Sequence, residues 1–220
     1  MPEISPPLVS TPGPTLADLV RVAAAIVNHP LLGPSFGESQ TLRLIDSKHP
    51  LYTGPGALVP NTMNRWKCSL FVNSCLAAAG FQPATYGNGR GGEYAIAVEL
   101  HRYSMQLQGR TKGLFDRRDT MLVSAFPDAA AREQRIVQLL ATVQPGDMVI
   151  VRHQGGSGAD GGHCRLAVAD NGDGTFQFAQ ASSQAAVIRT EGPAALLREQ
   201  EIWVLRPTKA RAEGPVPIPT

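Results

Sequence analysis

Hydrophobic positions along the chain change their period once. Up to about residue 140 they recur at helical spacing, and from residue 148 they alternate as in strands. Thr15-Leu-Ala-Asp18 is a capping-box-like start, with Asp where Glu or Gln is usual. A helix follows to about Asn28, with Leu16, Leu19, Val20, Ala23, Ile26 and Val27 facing inward. His29-Pro30 ends it, because the residue before proline is pushed out of the helical region. Residues 31–63 are rich in loop signals: Gly33-Pro34, Gly54-Pro-Gly56 and Pro60-Asn61. Phe71, Val72, Cys75, Leu76 and Ala79 then form one apolar stripe. They predict an amphipathic helix that begins near Cys68 and stops at Gly80. Residues 82–92 are a glycine-rich loop, 93 to about 108 read as helical, and a less regular stretch follows. Asp128 caps a clear helix through Leu140.

Gln144-Pro-Gly-Asp147 reads as a turn. Strand patterns follow at Met148–Arg152, His163–Ala169, Thr175–Gln180, Val187–Arg189 and Glu201–Leu205. Asp170-Asn-Gly-Asp-Gly174 is a hairpin turn by composition. Helices first and an antiparallel meander afterwards predict an α+β fold. The organisation expected is a flexible Pro-rich arm over 1–14, one domain over 15–207 and a flexible tail over 208–220.

Composition narrows this little. The chain has 220 residues and a net charge of +2. It is long enough for one substantial core, and its balanced charge points to no dedicated nucleic-acid surface. No apolar run approaches a membrane span. The amino-terminal Met1–Pro7 lacks a basic region, and Arg21 breaks the apolar run from Leu19 to Val27, so no signal peptide is expected. Three cysteines are an odd number for a disulfide framework. Cys68 and Cys75 stand two helical turns apart, about 10 Å by rise, and are too distant to pair. A Cys75–Cys164 pair stays open.

Cys68 is the candidate nucleophile. At a helix amino end, unpaired N–H groups and the helix dipole favour the thiolate. The same pattern fits a small buried residue. A nucleophilic cysteine needs a base. Among five histidines, His29 and His49 precede it, His101 lies on a helix, His153 ends a strand, and His163 opens one directly after a glycine-rich loop. His163 is the best placed of them. Gln180 is the candidate orienter if the hairpin turns at 171–174 and brings that part of the next strand back beside His163, its face depending on register, with Gln177 and Asp170 as rivals. Tyr52, Asn64 and Trp66 lead into the Cys68 helix and are candidate substrate contacts. Cys68, His163 and Cys164 are zinc-ligand types without zinc spacing, and the glycine-rich loop lacks the Gly-Lys-Ser/Thr of a phosphate loop. No metal or other cofactor is expected.

Lys67-Cys-Ser-Leu-Phe-Val-Asn-Ser-Cys-Leu-Ala-Ala-Ala-Gly80 resembles the Asp-Cys-Ser-Gly-Phe-Val…Gly segment of NlpC/P60 cysteine peptidases. Pro145-Gly-Asp-Met-Val149 is similar to their Pro-Gly-Asp-Leu-Val. His163-Cys-Arg-Leu-Ala-Val168 is similar to their His-Val-Gly-Ile, and Phe178-Ala-Gln-Ala-Ser182 to their His-Ala-Ser element. The chain departs at Lys67, where the family has Asp, and at Leu70, where it has Gly. The Lys-Cys-x-x-Phe-Val form looks more like amidase toxins that bacteria inject into rivals. The resemblance implies a papain-like NlpC/P60-type fold and hydrolysis of amide bonds in peptidoglycan stem peptides. Cys68 would be the nucleophile, His163 the base and Gln180 the third polar residue. It also implies synthesis in the cytoplasm, export by a dedicated secretion system to a target periplasm, and an inhibitory immunity protein as partner. Two rival readings remain: a thiol protease, deamidase or acyltransferase toxin acting on a host protein, and a non-catalytic binding module on the same scaffold.

Overall fold

The computed structural model describes residues 13–37, 67–84, 95, 97–103, 113–156 and 161–218. The first helix, α1 (Leu16–Asn28), starts as its sequence dictates. Thr15 Oγ1 accepts the Asp18 N–H at 3.1 Å, and Asp18 Oδ2 accepts the Thr15 N–H at 3.1 Å. Two of the four orphan donors are thereby satisfied. Leu19, Val22, Ala23 and Ile26 are its buried residues. Val22 joins the expected stripe, while Leu16 and Val27 are only partly buried against the core. His29 leaves the helix in an extended conformation. Its Nδ1 accepts the N–H groups of Leu31 and Leu32 at 3.2 and 3.0 Å, which opens the short helix α2 (Leu32–Ser35).

The cysteine-bearing helix, α3, spans Lys67–Ala78. One buried face was expected. Instead every residue except Leu70 is buried. The reason is that α3 is covered on all sides. It packs against α1 and against two central strands, and the carboxyl-terminal segment runs along its other flank. There the Val216 N–H donates to Ala77 O at 3.0 Å, and the Arg211 N–H to Gly80 O at 2.8 Å. Polar residues inside α3 are satisfied internally. Asn73 bonds to Ser69 O at 2.9 Å and accepts the Ala84 N–H at 2.8 Å. Gly80 ends the helix at φ 86°, with Phe81 N bonded to Leu76 O and Gly80 N to Ala77 O. That is a Schellman cap, and its left-handed residue favours glycine.

Among the described residues, six strands form one antiparallel sheet in the order β1-β6-β2-β3-β4-β5. They are β1 (Phe115–Leu122), β2 (Met148–His153), β3 (Gly162–Asp170), β4 (Phe176–Ala181), β5 (Ala186–Glu191) and β6 (Glu199–Pro207). The fold is therefore α+β, as the sequence predicts. From β2 to β5 the strands form the expected meander. β6 does not extend it but crosses back to lie between β1 and β2. β1 falls where an irregular stretch was expected. It is an edge strand whose sequence, Phe-Asp-Arg-Arg-Asp-Thr-Met-Leu, buries only Phe115 and Met121, so its apolar alternation is too weak to read. A 3₁₀-helix occupies Ala97–Tyr103, within the expected helix over 93–108.

The sheet divides two apolar layers. One face carries Met148, Ile150, Cys164, Leu166, Ala179, Trp203 and Leu205 beneath α1 and α3. The other carries Val149, Val151, Phe176, Phe178, Ile202 and Val204 in one layer with α4 (Ala129–Leu140). Asp128 caps α4, its Oδ2 accepting the Ala131 N–H at 2.8 Å. The turn before β2 is held by fully buried Asp147. Its carboxylate accepts the Gln144 N–H at 2.8 Å and two bonds from Arg206, each 2.7 Å.

The residues after β6 were expected to be a flexible tail. Residues 208–218 instead dock on α3, with an Ala210–Phe81 bridge and a buried Val216. All three cysteines are free thiols, so Cys75 and Cys164 do not pair. Among the described residues, no helix is long and apolar enough to cross a membrane.

Candidate active site

Cys68 is the second residue of α3 as described, Lys67–Ala78. The start of the helix is anchored by its neighbour. Lys67 is fully buried, and its Nζ donates to Ser35 O, at the end of α2, at 2.8 Å. Lys67 thus ties two helices together at the position where the resembled family has an aspartate.

The sheet brings two consecutive residues of β3 to the thiol. The Cys68 thiol stands within electrostatic and hydrogen-bonding reach of the His163 ring and of Cys164. Neighbouring strand residues point to opposite faces. A group that touches both therefore sits over the opening end of β3 rather than over one face. Gly162, which opens β3, lets its neighbours pack closely: a Cβ there would stand 2.4 Å from both Val151 O and Val98 Cγ1. No larger residue fits between β2 and the Ala97–Tyr103 turn.

His163 is oriented from β4. Its Nε2 lies 2.6 Å from Gln180 Oε1. The Gln180 amide is itself held by β5, with Nε2 donating to Glu191 Oε1 at 2.5 Å. Arg165 Nη1 donates to the other carboxylate oxygen, Glu191 Oε2. Because a carboxylate only accepts, it takes the amide NH₂ and leaves Oε1 toward His163. His163 must then carry its proton on Nε2, which leaves Nδ1 for the thiol.

The electrostatics follow from these contacts. The Cys68 thiol is held well below its usual range, chiefly by the hydrogen bond from Cys164. Burial opposes this, and the hydrogen bond and charge of His163 reinforce it. For His163, burial favours the neutral ring, but the bond to Cys68 and its negative charge prevail and raise the imidazole above its usual value. Cys164 is pushed well above the thiol range by burial and then by the Cys68 charge, so it remains a protonated donor. Burial alone drives Cys75 far upward. One thiolate beside one imidazolium is the state these contacts favour.

Among the described residues, the other histidines have different partners. His101 stacks on Trp203 with ring centroids 4.6 Å apart, and its Nδ1 bonds to Val98 O at 2.7 Å. His153 Nδ1 lies 2.8 Å from Glu199 Oε2. His29 opens α2. Asp170, the rival orienter, serves the hairpin, its Oδ1 accepting the Gly172 N–H at 2.8 Å. Gln177 pairs with Ala169, far along the hairpin from His163. The structure thus brings Cys68, His163 and Gln180 together. Tyr52, Asn64, Trp66, His49 and the glycine-rich loop over 85–92 lie outside the described residues. Sequence reasoning weighed Cys164 only as a zinc-ligand type or a disulfide partner, and it missed Arg165 and Glu191. The alternation of His163 with Arg165 was a signal for Arg165, but the reach of Glu191 depends on the register of β5. Compared with known proteins, the chain matches no family model, no curated protein and no solved structure.

Proposed function

We propose that this protein is a cysteine hydrolase that cleaves amide bonds in peptidoglycan stem peptides, with a papain-like fold of the NlpC/P60 type. The observation that carries the thiol chemistry is the convergence of Cys68, at a helix amino end, with a His163 ring fixed by Gln180. The substrate class rests on the motif resemblance. In this reading the Cys68 thiolate attacks the peptide carbonyl, and the departing amine takes its proton from the His163 imidazolium. Water, deprotonated by His163, then releases the acyl-enzyme. The Cys68 backbone N–H at the start of α3 is the donor for the developing oxyanion. Tyr52, Asn64 and Trp66 are proposed substrate contacts. The injected-effector setting, with export to a target periplasm and an inhibitory immunity protein, belongs to the same proposal.

The test is digestion of purified peptidoglycan by wild type and Cys68→Ala, with products identified by mass spectrometry. Discrete stem-peptide cleavage that the variant lacks is the expected result. No product from the wild type would overturn the peptidoglycan reading, and undiminished cleavage by Cys68→Ala would overturn the role of the cysteine.

A further inference from the structure

The face of the sheet turned away from α1 and α3 carries a polar chain across three adjacent strands: His163 and Arg165 on β3, Gln180 on β4 and Glu191 on β5. The register explains how they meet. Leu166 pairs with Ala179, which sets Arg165 beside Gln180. Phe176 pairs with Glu191, which turns the Glu191 side chain to the face of Phe176, Phe178 and Gln180. The middle of the group is shielded from water: Arg165 is 5% exposed, its guanidinium carbon lies 5.9 Å from the Phe178 ring centre, and Gln180 is also 5% exposed, while His163 and Glu191 at its ends are half-buried. A buried acid–base pair of this kind adds little net stability relative to an apolar pair. Its hydrogen-bond directions, by contrast, have a definite consequence for the histidine.

We propose that Glu191 is a positioning residue for the thiol chemistry, keeping the proton on His163 Nε2 through the orientation of the Gln180 amide, with Arg165 holding the carboxylate in place. This deepens the hydrolase reading and rests on it. An amide has one accepting end and one donating end. If Gln180 turned over, its NH₂ would face His163, whose Nε2 would have to accept. The ring proton would move to Nδ1, and the nitrogen facing Cys68 could no longer take the thiol proton. Glu191 prevents the turn, because two carbonyl-type acceptors cannot share a hydrogen bond. The order of command runs Arg165 to Glu191, Glu191 to Gln180, Gln180 to His163, and His163 to Cys68.

The diagnostic variant is Glu191→Gln, which preserves shape and hydrogen-bonding capacity but accepts a Gln180 amide in either orientation. Arg165→Met is its companion, since it removes the ion pair yet keeps an acceptor-only carboxylate. Two readouts need no substrate. One is the rate of iodoacetamide alkylation at Cys68 across pH 5–9, followed on the Cys68 peptide by mass spectrometry. The other is the pair of ¹⁵N shifts of the His163 ring. The wild type is expected to alkylate well below the pH range of a free thiol, with both ring nitrogens of His163 protonated in the ion pair. Glu191→Gln should lower the alkylation rate at pH 6 by about tenfold, the scale felt when an outer partner of a functional histidine is lost, and should move the ring ¹⁵N shifts from those of an imidazolium toward those of a neutral ring. Arg165→Met should move both readouts less. A Glu191→Gln protein with wild-type alkylation and wild-type ring shifts overturns the positioning role and leaves the hydrolase reading intact. A folded wild type whose Cys68 alkylates only in the range of a free thiol overturns both.

Discussion

Asp147 closes the turn that launches β2, and Asp147→Asn tests whether the Pro-Gly-Asp segment supports the fold rather than the chemistry. The carboxylate is fully buried and receives two 2.7 Å bonds from Arg206 on β6 and one 2.8 Å bond from the Gln144 N–H. Asparagine keeps an acceptor for Gln144 but removes the charge facing the guanidinium. Breaking a buried pair by removing one partner costs about 3–5 kcal/mol. Arg206 retains 17% exposure of its side chain and regains some hydration, so the lower end, about 3 kcal/mol, applies. For a chain of this length each kcal/mol shifts Tm by roughly 2–4 °C, which gives a fall of about 6–12 °C. Circular dichroism melts of wild type, Asp147→Asn, Arg206→Met and the double variant provide the measurement. The double variant should recover at least about half of the loss, since an apolar side chain replaces the stranded cation. Alkylation of Cys68 at a temperature where all variants are folded should be unchanged. A Tm fall below about 2 °C, or strictly additive single-variant losses, would refute the reasoning.

Replacing Gly162 by Ala should displace the start of β3, because the new methyl meets a backbone carbonyl and Val98 at 2.4 Å. Overpacking of this kind costs about 1–3 kcal/mol, and a slower Cys68 alkylation alongside the lower Tm would report the displaced His163. Cys164→Ala removes the largest cause of the depressed Cys68 value. The pH midpoint of alkylation should therefore rise, and an unchanged midpoint would show that Cys164 does not donate to the thiolate. The proposed hydrolysis should follow a bell-shaped pH profile. Its acid limb rises as Cys68 ionises through its lowered value, and its alkaline limb falls as His163 deprotonates through its raised value. A rate that climbs monotonically through the free-thiol range contradicts that pairing. Thr15→Ala breaks the capping box of α1 and should cost about 1 kcal/mol, seen as a small fall in Tm with Cys68 reactivity unaltered.

Local chemistry made several features legible in the chain itself. Thr15 and Asp18 announce α1, Asp128 announces α4 and Gly80 ends α3, because a cap is formed by residues three or four positions apart. The strands of the meander are legible because one or both of their faces are apolar. Cys68 and His163 were also nameable, the first from its helix position and the second from its place at a strand start after a glycine-rich loop, while Gln180 was singled out by the motif resemblance, because its face depends on strand register. Tertiary structure alone decided the rest. β1 is an edge strand recruited by β6, so pairing rather than its own pattern makes it a strand. α3 is buried all round because the carboxyl-terminal segment returns to cover it, a contact between residues more than a hundred positions apart. The Cys164 thiol reaches Cys68, and Glu191 reaches Gln180, only through helix-to-sheet packing and strand register. A one-residue slip of β5 would turn Glu191 to the other face, and no pattern within β5 forbids it.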